Sequence, residues 1–221
     1  MANYKLISVG KIDSTQTYAH DLIAHGNATN KTIIVADAQS AGRGRYRRPW
    51  ISHHGNLYAS FIYTDEERDA RLSYVVAIAV LDVLESLGIN AKIKWPNDIL
   101  IDDKKVAGIL IEYYGRFVVV GIGINISTNP TVDNYKTTKI NNYVNTNRDD
   151  ILNRLIKSMD KWMHTDFNVI RSVWMENAIG INSVVKYQGM PAELIGINEN
   201  GALILRRDSK YLLVYGDEII V

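Results

Sequence analysis

The chain has 221 residues, 47% hydrophobic and 22% charged, the mixture of a globular protein able to bury its own core. Twenty-five Lys and Arg against 24 Asp and Glu leave a net charge of +1, so no global field draws it toward nucleic acid or an anionic membrane, and any anion site must be local. The absence of cysteine excludes disulfides, zinc–thiolate sites and thiol nucleophiles.

The first residues, Met1 to Lys5, lack the basic-then-apolar pattern of a signal peptide. The longest apolar run, Val75 to Leu81, is too short to span a bilayer, so the expectation is a cytoplasmic protein without a membrane partner. Lys5 to Val9 reads as a strand. Asp13-Ser14-Thr15 then offers cap side chains to a helix carrying Tyr18, Ala19, Leu22 and Ile23 and ending at Gly26. Thr32 to Ala36 and Leu57 to Tyr63 have strand character, and Gln39 to Trp50 between them holds too much Gly and charge for a helix or strand. The acidic run Asp65 to Asp69 is expected to solvate the start of a helix over Arg71 to Leu87, whose apolar residues recur at three- and four-residue steps up to a C-terminal Gly88.

Lys92 to Trp95, Val106 to Tyr113 and Phe117 to Ile126 read as strands, the last two as an antiparallel pair turning at Gly115. Ser127 to Arg148 has no sustained period and reads as loop. Asp149 or Asp150 is expected to cap a helix with Ile151, Leu152, Leu155, Ile156, Met159 and Trp162. From about Ile179, five short β segments separated by turn residues suggest a small SH3-like barrel, giving domains 1–178 and 179–221.

Four features carry chemistry. Gly42 to Trp50 holds four arginines and two glycines, so main-chain N–H groups and guanidinium forks can converge on an anion while Trp50 offers a ring face. The bland alternatives are a solvated basic loop, or a nucleic-acid patch of Arg43, Arg45, Arg47 and Arg48 interleaved with Tyr46 and Trp50. Lys94-Trp95-Pro96-Asn97-Asp98 presents an amide and a carboxylate at a strand end, where Asp98 could hold Mg²⁺ on phosphates; its bland reading is an Asx turn. Lys104-Lys105 leads into an apolar strand in which Gly108 leaves space, although a lysine pair in such a place is usually a solvated hairpin tip. Gly121-Ile122-Gly123-Ile124-Asn125 puts two strand glycines on one face but lacks the third glycine and the helix of a dinucleotide fingerprint. No phosphate-binding P-loop, nucleophile elbow or zinc-spaced histidine set is present.

In order along the chain, Asp13-Ser14-Thr15, Gln39, Gly42-Arg43-Gly44-Arg45 with Trp50, Lys94 to Asp98, Lys105 to Glu112 and Gly121 to Asn125 resemble the biotin protein ligases. The resemblance covers nearly the whole chain. It implies an α/β (α+β) fold of the class II synthetase-like type, a mixed and largely antiparallel sheet with packed helices, plus the C-terminal barrel. It further implies an ATP-dependent, AMP-forming reaction that makes biotinyl-5′-adenylate and passes the biotinyl group to a lysine of a biotin carboxyl carrier protein domain. By resemblance, Ser14, Thr15, Gln16, Gln39, Gly42, Arg43, Gly44, Arg45, Lys105, Gly108, Gly121 and Gly123 bind biotin, the glycines leaving a slot for its valeryl arm. Arg45, Arg48, Trp50, Asn97, Lys105 and Asn125 bind ATP, with Trp50 stacked on adenine and the Asn125 amide on its edge. Lys105, Arg43, Arg45 and Asp98 are the implied catalytic residues, and Asp98 the implied Mg²⁺ ligand, directly or through a water.

Arg47 stands where a glycine is usual in this family, and a positive φ there would strain it. Asp13 begins too early to leave room for an N-terminal DNA-binding domain, so the resemblance implies a monofunctional ligase without DNA as partner. Many relatives form homodimers through the sheet side. The alternatives are a lipoate or octanoate ligase or transferase of the same superfamily and, from another class, the nucleic-acid module.

Overall fold

The computed structural model describes residues 4–64, 69–133, 135–216 and 219–220. The chain runs β1 (Lys5–Ile12), α1 (Thr15–Ala24), β2 (Thr32–Gln39), β3 (Leu57–Thr64), α2 (Leu72–Glu85), β4 (Lys92–Lys94), β5 (Asp98–Ile101), β6 (Lys104–Tyr114) and β7 (Phe117–Ile124). It continues with α3 (Arg148–Met163), α4 (Phe167–Asn177), β8 (Val184–Tyr187), β9 (Met190–Ile197), β10 (Leu203–Arg207), β11 (Lys210–Val214) and β12 (Ile219–Ile220). Strands β1 to β7 form one sheet in the order β1-β2-β3-β7-β6-β5-β4. Only the β1–β2 pair in it is parallel, so the expected mixed, largely antiparallel α/β architecture is present.

The two faces of this sheet are covered unequally. Helix α2 is apolar all round and every residue from Tyr74 to Leu81 is buried, the pattern of a helix sealed on all sides. It packs between the sheet and α3 and α4. Helix α1 covers only part of the other face, where Ala19 joins Ile34, Ile62 and Val119 in a small second core. What α1 leaves uncovered on that face becomes the cleft described below.

Several expectations need correction. The C-terminal strands number five, but among the described residues their hydrogen-bonded order, β11-β10-β9-β8-β12, is an open sheet with β11 and β12 as edges and not a closed barrel. Asn147 caps α3 by accepting from Asp149 N and Asp150 N, which places both aspartates in the first turn, where their charge suits the helix dipole. Ser14 is the N-cap residue of α1 without a side-chain capping bond, because its hydroxyl faces Arg43 instead. Strand β5 and helix α4 were not expected, and the segment from 127 to 147 contains one short 3₁₀ turn, Ile140–Asn142. Residues 65–68 of the acidic run lie outside the described residues. No helix among the described residues is long and apolar enough to cross a membrane.

Candidate active site

Strand register explains where the cleft lies. Gly123 pairs with Gly108 and Tyr58, and Gly121 with Leu110 and Ser60, so these residues share one face. That face is the α1 side, since the same alternation carries it to Val119 and Ile62. Lys105 and Gly108 are three residues apart and would point to opposite faces of a regular strand. A register shift intervenes, because Ile99 pairs with Ala107 but Leu100 pairs with Lys105. This bulge turns Lys105 onto the face of Gly108 and Asp98. Its Nζ lies 2.7 Å from Asp98 Oδ1, so Lys105 belongs to the cleft and is no solvated hairpin tip.

The cleft has a volume of about 570 Å³. One end is a polar wall from the start of α1 and the end of β2. Thr15 N and Oγ1 donate to Gln39 Oε1 at 2.8 and 3.2 Å. Gln39 Nε2 in turn donates to Ser52 Oγ at 2.8 Å, and Ser52 Oγ donates to the Trp50 carbonyl at 2.9 Å. Gln16 Oε1 and Thr15 Oγ1 each lie 2.8 Å from Ser60 Oγ. These bonds fix both glutamine amides, so the wall is a preset pattern of donors and acceptors. Arg43 belongs to this end. Its Nη1 donates to Thr17 Oγ1 at 2.8 Å and its Nη2 to Glu112 Oε2 at 3.0 Å.

The other end is cationic, lined by Arg45, Arg48 and Lys105 together with Asp98. Arg45 reaches across to the C-terminal sheet, where Nη2 donates to the Gly216 carbonyl; its Nη1 is buried with no hydrogen-bond partner. The Arg45–Arg47 turn has φ of 54° at Tyr46 and 58° at Arg47. Arg47 thus occupies the left-handed region that favours glycine, and two successive side chains there store about 1–3 kcal/mol each. Asn97 is tied to Ile109 in both directions, its Nδ2 donating to that carbonyl and its own carbonyl accepting from that N–H, each at 2.9 Å.

Trp50 lies flat over the strand glycines. A Cβ at Gly123 would stand 2.5 Å from its ring and one at Gly108 2.8 Å from it, while the space over Gly121 is filled by Gln16. The glycines therefore make room for protein side chains as well as bordering the cleft. Beyond the Trp50 ring is a smaller cleft lined by Asn125, Tyr135 and Thr137. Asn125 is buried, its Nδ2 donating to the Thr138 carbonyl at 3.1 Å, and its Oδ1 has no partner; Trp50 Nε1 is likewise buried and unpartnered.

Of the residues that the resemblance assigns to biotin, ATP or catalysis, all but Gly42 and Asn125 line the large cleft. Gly42 instead permits the tight approach of Trp50 O, Gln39 and Ser52, and Asn125 lines the small cleft. Sequence reasoning assigned no role to Lys94, Tyr135, Ile219 or Ile220, which also line the large cleft. Lys94 could have been found from its place before Pro96; Tyr135, in an irregular segment, had no signal. Lys105 Nζ sits 5.1 Å from the Trp50 ring centre and 5.2 Å from that of Tyr135, a cation held between two aromatic faces. Burial pushes the Tyr135 phenol above its ordinary pKa; Asp98 adds to the rise and Arg48 opposes it. Among the described residues no three metal-ligating side chains cluster.

Residues 9–129 match the model of the biotin/lipoate A/B protein ligase family. The chain is 32% identical to the bifunctional ligase/repressor BirA of Bacillus subtilis, covering 94% of this chain and 71% of that one. It is 31% identical to the biotin–[acetyl-CoA-carboxylase] ligase of Paracoccus denitrificans, over 90% of this chain and 92% of that one. Among solved structures, the biotin protein ligase of Aquifex aeolicus in complex with biotin and ATP superposes with a TM-score of 0.82 at 27% identity, covering 97% of both chains.

Proposed function

The chain belongs to the biotin/lipoate A/B protein ligase family, and from that membership we propose that it is an ATP-dependent biotin ligase that makes biotinyl-5′-adenylate and delivers the biotinyl group to a lysine of a biotin carboxyl carrier domain. The observation that carries this reading is the division of one cleft into a preset polar wall and a cationic end. Biotin's ureido ring, with two N–H donors and a carbonyl, suits the wall of Ser14, Thr15, Gln16 and Gln39. Its carboxylate would then point toward Lys105.

In the first step a carboxylate oxygen of biotin attacks the α-phosphorus of ATP, the bond to the bridging β-oxygen breaks, and pyrophosphate leaves. Two anions must meet, and fixed cations in a partly dry cleft offset their repulsion. Lys105 bridges carboxylate and α-phosphate, Arg45 contributes the free Nη1, and Arg48 faces the leaving group. Adenine stacks on the Trp50 ring at the edge of the small cleft, and the orphaned Asn125 Oδ1, the kind of buried group that calls for a partner, is the acceptor assigned to its exocyclic amine. Asp98, the one carboxylate lining the cleft among the described residues, would hold Mg²⁺ together with the nucleotide phosphates, a donor set that suits this ion. Bound there, Mg²⁺ would supply further positive charge at the phosphates. In the second step the carrier amine attacks the acyl carbon, the acyl–oxygen bond breaks, AMP leaves, and the amine gives up a proton, for which we assign Asp98 as acceptor.

On this reading residues 1–178 carry catalysis and 179–221 close the cleft near Gly216 and Ile220, and the site of action is the cytoplasm. The nucleic-acid reading fits less well, because Arg43 and Arg45 turn inward to Glu112 and Gly216. The test is exchange of labelled pyrophosphate into ATP. It is expected to require biotin and to fall by at least about 100-fold in Lys105→Ala, the usual effect of removing one group that stabilises transition-state charge. Exchange with lipoate but not with biotin would transfer the assignment to the lipoate branch of the family.

A further inference from the structure

We infer that Glu112 is a positioning residue of this site, holding Arg43 and Gln16 together as one rigid part of the biotin-reading wall; the inference rests on the proposed ligase function. Glu112 stands on β6 on the same face as Gly108 and Leu110, yet it does not line the cleft. One oxygen, Oε2, accepts from Gln16 Nε2 at 2.8 Å and from Arg43 Nη2 at 3.0 Å, and His20 Nε2 lies 3.2 Å from it. The three partners come from α1 and from the glycine loop, so this carboxylate ties β6 to the helix that builds one side of the wall and to the loop that follows its other side, β2.

Each tie removes a freedom that matters for recognition. Gln16 can present either its oxygen or its nitrogen to Ser60 and the cleft. Committing Nε2 to Glu112 leaves Oε1 toward Ser60, 2.8 Å away, and keeps the side chain packed over Gly121. Arg43 has a long flexible side chain, but with Nη2 on Glu112 and Nη1 on Thr17 Oγ1 both ends of its fork are engaged, 3.4 Å from Ser14 Oγ. The pairing also decides which substrate Arg43 serves. Held on Glu112 and Thr17 beside Ser14, it belongs to the biotin end, while Arg45 and Lys105 face the phosphates. Burial keeps the His20 imidazole below its ordinary pKa, so Arg43, and not His20, is the cation that Glu112 holds.

Biotin and ATP affinities measured separately by calorimetry test this. Glu112→Ala is expected to weaken biotin binding about ten-fold, the scale of one lost charge-assisted hydrogen bond, and to leave ATP binding unchanged. Glu112→Gln keeps an amide oxygen able to accept from both partners and is expected to recover most of the loss. The double variant Glu112→Ala/Arg43→Ala is expected to bind biotin no worse than Arg43→Ala alone, since the two act as a unit. Thr17→Val removes the other tether of Arg43 with little change of shape and is expected to weaken biotin about three-fold, which keeps the inference testable should Glu112→Ala not fold. Additive losses in the double variant, equal weakening of biotin and ATP, or unchanged biotin affinity in the Glu112 and Thr17 variants would overturn it. Failure of the unaltered chain to bind biotin would instead remove the ligase reading itself.

Discussion

Gly123→Ala isolates the role of Trp50 with a single methyl group. The backbone at Gly123 is ordinary strand, so alanine is conformationally allowed, but its Cβ would stand 2.5 Å from Cε2, 2.6 Å from Nε1 and 2.7 Å from Cζ2 of Trp50. Non-bonded carbons rest about 3.5–4.0 Å apart, so the indole must retreat by roughly 1 Å. Its main chain cannot follow, because Trp50 N donates to the Gly42 carbonyl at 2.8 Å and its carbonyl accepts from Ser52. The ring borders both the large cleft and the small one, and the small one holds only about 10 Å³ of open space, so its retreat takes up room where the nucleotide binds. Overpacking of this kind costs about 1–3 kcal/mol. If that cost falls on the nucleotide, ATP binding weakens by about 5- to 150-fold. The assay is the KM for ATP in pyrophosphate exchange at saturating biotin, alongside Gly10→Ala on edge strand β1, where a Cβ meets nothing within 4 Å. Gly121→Ala, whose Cβ would stand 2.9 Å from Gln16, should raise the KM for biotin instead. An unchanged KM for ATP in Gly123→Ala would show that Trp50 does not shape the adenine site, and a rise in both constants would show that the two ends of the cleft are not separate.

Two further outcomes follow from the same geometry. Chelation of divalent cations is expected to abolish pyrophosphate exchange and added Mg²⁺ to restore it, whereas biotin binding measured without nucleotide should survive chelation; exchange persisting in excess chelator would remove the metal. Burial lowers the pKa of His20 below its ordinary 6.5 in the folded chain, Arg43 acting in the same direction against Glu112 and Asp21. The unfolded chain therefore takes up the proton first, and folding stability should decline as pH falls below about 6.5. His20→Phe, which keeps a ring against Tyr114, should flatten that decline in denaturation measured at pH 7.5 and about 5.5; an identical slope in both proteins would mean that His20 titrates normally.

Much of the catalytic face was legible as residue identity and little of it as partnership. Helix α2 announced itself because its apolar residues are continuous, and the β6–β7 hairpin because Gly115 sits between two β-branched runs. Strand β5 is only four residues long and lies between Pro96-Asn97 and the Asp102-Asp103 turn, so turn chemistry on both sides concealed it. Helix α4 did carry a signal, Asp166 as its cap followed by Ile170 and Trp174 one turn apart, and Trp174 is buried against Tyr74 and Trp95. The open order of the last sheet depends on which strands meet, which turn residues alone do not specify. Lys105 shows the limit most clearly. Strand alternation predicts that it points away from Gly108, and only a bulge, a property of the β5–β6 pair and of neither sequence segment alone, brings it into the cleft.

Charge partnership was hidden for the same reason, and it changes how the cluster of arginines is understood. Among the described residues, a chain of net charge +1 lines one cleft with Arg43, Arg45, Arg48, Lys94 and Lys105 against the single carboxylate of Asp98. Those cations are not equivalent. Arg43 is matched by Glu112, 69 residues away in sequence, and Lys105 by Asp98, whereas Arg45 bonds a neutral carbonyl and a tyrosine hydroxyl. Among the described residues Arg45 therefore offers an incoming polyphosphate a guanidinium with no carboxylate partner, on the side of the cleft where the carboxylate of a biotin held by its ureido ring would meet the α-phosphorus. The loop motif supplies the arginines, but the placement of Asp98 on β5 and Glu112 on β6 decides which of the cleft's cations already has an acid partner.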